Sequence, residues 1–153
     1  MAGDSAPIEP RNCMHEYITR DFGPFAATAT TGQTPLAAST NMPLGFIFDR
    51  ETVIDYVTFF TEVISTGATG MGVRLAYATD GQTMAAAVTA SQYVTASVNL
   101  KTDLVAGTKF VATVDTTNNL IPAGARLFLV SDAGLATSVS GFGFLIRTRT
   151  VVH

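Results

Sequence analysis

Charge is scarce in this sequence. Asp, Glu, Lys and Arg make up 14% of its 153 residues, against a usual share of about 25%. The net charge is −3, and lysine occurs only at Lys101 and Lys109. Duplex nucleic acid is held mainly through a concentrated basic field. None is visible here, so the composition argues against nucleic acid as a partner. A surface with so few charges suits a protein largely covered by neighbours better than a free monomer.

Cysteine is almost absent. With Cys13 alone, no internal disulfide can form. Cys13-Met14-His15 is too small a cluster for a metal, which takes three or four ligands. Histidine occurs only at His15 and at His153. Neither falls in a segment expected to be rigid, so a Ser-His-Asp or Cys-His pair has poor raw material. The expectation is no enzyme, no cofactor and no metal. No apolar run approaches the ~20 residues that span a membrane. The opening "MAGDSAPIEPRN" carries acidic residues and lacks the hydrophobic stretch of a signal peptide. These absences point to a cytosol-like compartment, or to release from one by lysis.

Proline is missing from residues 44–121, whereas Pro7, Pro10, Pro24, Pro35 and Pro43 crowd the start and Pro122 stands alone later. Proline cannot join a central sheet ladder. Residues 1–43 therefore read as an extended N-terminal arm, rich in Ala, Thr and Gly. Its scattered apolar anchors Ile8, Tyr17, Ile18, Phe22, Phe25 and Leu36 favour docking over a free tail. Residues 44–153 read as the folded domain.

What fills that domain is strand grammar: runs of Val, Ile, Phe, Tyr and Thr broken by Gly, Asp and Asn. Strands are expected at 44–48, 53–65, 73–80, 93–100, 109–115, 125–132 and 141–152. The pattern in 73–80 puts Val73, Leu75 and Tyr77 inward, with Arg74, Ala76 and Ala78 outward. Residues 82–92 fit either a short helix, through their alanines, or a strand. "STGATGMG" at 65–72 lacks the Lys-Ser or Lys-Thr of a phosphate-binding loop and reads as a turn. The sum is an all-β fold, an antiparallel β-sandwich or jelly-roll-like domain behind an extended arm.

The titratable residues offer few constellations. Asp49, Glu51 and Asp55 cluster between strands, where a solvated turn paired to Arg50 is favoured over a two-carboxylate hydrolytic site. Glu62 is either an outward residue or an interface partner for an arginine. Asp80, Asp103 and Asp115 lack the spacing of a calcium loop, and "DTTNN" at 115–119 reads as a turn bonded to its own backbone. Arg147 and Arg149 share one face of the last strand, either solvated or set against acidic groups of a partner subunit.

One stretch, "NNLIPAGARLFLVSD" at 118–132, gathers the pattern. Pro122 and Gly124 form a sharp entry into a strand apolar on both faces, with Leu127 and Leu129 on one and Phe128 and Val130 on the other. Such a strand is central, with the sandwich core on one side and the arm or another subunit on the other. Leu120 and Ile121 either cap the sandwich or meet a neighbour.

Asn118-Asn119, Ile121-Pro122-Ala123-Gly124, Ala125 to Ser131, and Phe142 to Arg149 with its Arg-x-Arg ending together resemble the C-terminal region of tailed-bacteriophage capsid decoration, or cement, proteins and related small β-sandwich virion proteins. The resemblance implies a structural virion protein on the capsid surface, assembled in the host cytoplasm. It implies a homotrimer that binds the major capsid protein, with arms that tie neighbouring subunits. No membrane and no nucleic acid enter this reading. The alternative is a head-fibre or tail-associated domain recognising a host-surface glycan.

Overall fold

The apolar alternation seen from Leu44 onward is realised as strands. In the computed structural model, which describes residues 17–27, 32–66, 70–134 and 138–151, two sheets face each other. One has the order β2 (Thr34–Pro35), β1 (Tyr17–Ala26), β10 (Phe142–Thr150), β4 (Thr52–Phe60), β7 (Phe110–Ala112), with β8 (Leu120–Ile121) also paired to β4. The other runs β3 (Asn41–Ile47), β9 (Arg126–Ser131), β5 (Gly72–Ala78), β6 (Val98–Asn99). All pairs are antiparallel except β1 with β2. The fold is an all-β sandwich.

The core lies between the sheets. Ile54, Val57 and Phe59 of β4 and Phe142, Phe144 and Ile146 of β10 join Val73 and Leu75 of β5 and Leu127 and Leu129 of β9. A phenylalanine cluster knits it: Phe59 lies 5.7 Å from Phe142 and 5.6 Å from Phe144, centroid to centroid. Aromatic pairs at such spacing add to the area they bury.

The described part of the expected arm belongs to this sandwich. β1 pairs along β10 from Tyr17 opposite Arg149 to Phe22 opposite Phe144, and the boundary expected at residue 43 falls inside β3. Phe22 stacks on Phe144 at 5.0 Å and Phe25 reaches Phe142 at 6.0 Å, so these anchors dock on their own sheet. The prolines do not interfere, because each sits where the ladder makes no demand. Pro24 occupies the register shift between Phe22 and Phe25. Pro35 ends the two-residue β2, and Pro43 lies on edge strand β3 beside its own shift. Gly23 permits the first shift. Its φ is +119°, and a Cβ there would meet the Phe142 carbonyl oxygen at 2.9 Å. Residues 1–16, with Cys13 and His15, lie outside the described residues, as does His153.

The ambiguous segment 82–92 contains helix α1 (Met84–Thr89). Thr83 caps it, its Oγ1 accepting from Ala86 N–H at 3.2 Å. Ala87 is buried against Ala76, Ala78, Phe128 and Val130, with Met84, Val88 and Tyr93 around them. This corrects the expectation for β9. It is central, but the second cover is α1 and not the arm or another subunit. The alanines on both surfaces let the helix approach the sheet closely, and the outward face expected for Ala76 and Ala78 is thereby buried.

β4 ends at Phe60, earlier than the expected residue 65, and Val63 keeps only an isolated bridge to Ser140. Ile121 is fully buried beneath the sandwich end, while Leu120 faces solvent. One side of the sandwich is stitched by backbone. Val94 N–H donates to Leu75 C=O in one sheet, and Asp115 N–H donates to Val94 C=O, each at 2.8 Å. On the other side β1 and β3 meet through side chains, with Phe22 edge-on to Phe46 at 6.0 Å and Arg20 4.5 Å from the Phe46 centroid.

Candidate interaction face

The outer face of the six-stranded sheet follows from its register. Tyr56 stands opposite Arg147, and Thr58 stands between Leu145 and Val111. The Arg147 guanidinium lies 5.2 Å from the Tyr17 ring centroid and 5.3 Å from that of Tyr56. Arg149 Nε bonds both oxygens of Asp55. The two arginines that shared a face in the sequence are thus engaged within their own sheet, one with aromatic rings and one with a carboxylate.

Beyond this row the face opens into a groove of about 450 Å³, lined by Tyr56, Thr58, Phe60, Glu62, Lys109 and Leu145 among others. Glycines in β10 and just before it shape one wall. A Cβ on Gly143 would lie 2.6 Å from Phe60 Cζ, and one on Gly141 2.7 Å from Glu62 Cγ. Phe60 and Glu62 therefore lie down across the neighbouring strand. Thr58 is 6% exposed, and its sealed Oγ1 makes no hydrogen bond among the described residues. Burial of an unpaired hydroxyl costs about 1–3 kcal/mol. Tyr17, Phe60 and Val111 remain exposed on the same face, with relative accessibilities of 57%, 39% and 51%.

A second groove, of about 390 Å³, opens on the stitched side between Arg74, Tyr93, Thr95, Thr113 and Asp115. The Arg74 guanidinium stacks 3.4 Å from the Tyr93 centroid. Bonds from the Thr117 backbone N–H, and then from the Asn118 side chain, hold the Asp115 carboxyl below the usual aspartate range. The turn expected at 115–119 is formed in this way.

The remaining sequence candidates separate. Asp55 turns to Arg149 and not to Arg50, while Asp49 and Arg50 are exposed. Glu62 is exposed just past β4, at the groove rim. Asp103 accepts from Asn99 N–H at 2.7 Å, and Asp80 packs near Gly124. Among the described residues no group of three His, Cys, Asp or Glu side chains could hold a metal. Among them no helix is long and apolar enough to cross a membrane. The sequence reading missed the groove. Its signal was present in "SGFGF" at 140–144, since glycine inside a strand marks a close approach by a neighbour.

No protein-family profile, curated protein or solved structure matches this chain.

Proposed function

We propose that this chain is a structural virion protein that decorates a tailed-bacteriophage capsid and stabilises it by binding major capsid subunits. The observation that carries the reading is the outer face of the six-stranded sheet. It combines an apolar groove with exposed Tyr17, Phe60 and Val111 in a chain that is only 14% charged. Contiguous exposed apolar surface marks a docking site, and aromatic residues dominate binding energy at interfaces. In this reading the face seats on the shell, the protein acts as a homotrimer, and residues 1–16 supply the tie between neighbours. Repetition over the shell lattice then adds avidity without new contacts.

The test mixes purified protein with shells that lack it. The wild-type chain is expected to sediment with the shells and to raise their melting temperature. Tyr56→Ala with Phe60→Ala is expected to weaken binding at least tenfold. Deleting residues 1–16 is expected to reduce the gain in shell stability. Failure of the wild-type protein to bind, or undiminished binding by the double variant, overturns the reading.

A further inference from the structure

The geometry points to the groove at Thr58 as an anchor pocket for one aromatic side chain with a polar tip, tyrosine or tryptophan, presented by a partner protein. The inference rests on the docking-face reading and names what the face recognises. Leu145 and the Tyr56 and Phe60 rings make the groove apolar, and its volume of about 450 Å³ falls in the ~300–1,000 Å³ range of ligand pockets. Glu62 and Lys109 bring opposite charges to its lining, which favours a neutral occupant over an ion of either sign.

Thr58 decides the chemistry. A valine would have the same shape and would bury no hydroxyl, yet the floor carries a sealed Oγ1 with no partner among the described residues. The threonine side chain has two heavy branches on Cβ, and a turn of about 120° about χ1 to another staggered rotamer carries the hydroxyl to the position its methyl held and the methyl to that of the β hydrogen. An occupant with a polar atom can claim the hydroxyl after that turn. A purely hydrocarbon occupant leaves it orphaned. Specificity of this kind is strong when a site holds a buried polar group that only the correct ligand satisfies. Tyrosine and tryptophan fit both demands, since each has a large apolar body and one polar atom.

Side-chain analogues test the pocket without shells. Full-length labelled protein would be titrated with 4-methylphenol, 3-methylindole and toluene, followed by amide and methyl NMR shifts. The polar-tipped probes are expected to saturate a site at Thr58 and Leu145 and to bind at least fivefold more tightly than toluene. Thr58→Val should remove that preference while raising the melting temperature, and Thr58→Ser should retain the preference. Equal binding of all three probes to the wild-type chain, or no saturable site, overturns the inference. So does self-association abolished by Tyr17→Ala, because the occupant would then be the exposed tyrosine of a second copy. Shell binding sorts the two proposals. Shells that ignore a protein with a working pocket count against the virion reading alone. Shells that bind Thr58→Val as tightly as wild type count against the pocket alone.

Discussion

Arg149 Nε donates to both carboxylate oxygens of Asp55, at 3.1 and 3.0 Å. Asp55 has no counterpart in β10, because the register slips there: Arg147 faces Tyr56 and the next residue, Thr148, faces Ile54. The bulge re-aims the aspartate across the sheet to the arginine. Both side chains keep solvent contact, so the pair is expected to be worth less than about 1 kcal/mol. A double-mutant cycle with Asp55→Ala and Arg149→Ala in urea should give a coupling of that size, falling toward zero in molar salt.

Gly143→Ala is expected to destabilise the sandwich by about 1–3 kcal/mol, the usual cost of forcing extra atoms into a packed site. The new Cβ would meet the Phe60 ring and also the Phe22 carbonyl oxygen, the latter at 2.9 Å. The ring can move and the backbone cannot. Adding Phe60→Ala should therefore recover only part of the loss in urea unfolding. Full recovery would show that the β1 backbone does not resist.

The cover on β9 yields a graded pair. Phe128→Ala empties the space between α1 and the sheet and should cost about 3–5 kcal/mol. Thr83→Ala removes only the bond to Ala86 N–H and should cost about 1 kcal/mol. If thermal unfolding ranks them in reverse, α1 is not the lid that its packing describes.

Truncation separates the arm from the sheet. Removing residues 1–26 strips β1 from Phe142 and Phe144, and the product is expected to lose cooperative thermal unfolding by circular dichroism. Removing residues 1–16 is expected to preserve it. A cooperative transition in the shorter product would restore the arm reading for the whole of 1–43.

Asp115 sets a pH dependence. Its carboxyl is held low in the folded chain, so its stabilising effect is complete above the ordinary aspartate range, about 3.9. The effect fades as pH falls from there through the depressed value. Asp115→Asn should therefore lower the melting temperature at pH 7 and make little difference near pH 2. An equal deficit at both pH values would assign the effect to shape instead of charge.

Much of the sandwich was legible because its strands obey simple alternation. Val73, Leu75 and Tyr77 point inward as their spacing requires, and β9 is central as its two apolar faces demand. β1 was not legible, because "YITRDFGPFA" has a weak period and a proline. Its place depends on a register shift and on two phenylalanines that find partners more than a hundred residues away. α1 was obscured by alanines and threonines that serve helix and strand alike, until Phe128 supplied a surface to cover. The groove was illegible for a related reason. It arises from what Gly141 and Gly143 leave out, and such a vacancy takes shape only once β4 lies beside β10.

The central place of β10 bears on when this protein can fold. β10 pairs with β1 on one side and β4 on the other, yet it is made after both. While the ribosome works through the intervening residues, β1 has no long partner, and the inward phenylalanines of β1 and β4 lack those of β10. Assembly of that sheet must wait until residue 150 has been synthesised. Nascent chains therefore pass through a period in which unpaired strand edges and aromatic side chains are open to wrong partners. Chaperone occupancy during translation is expected to fall only after β10 emerges.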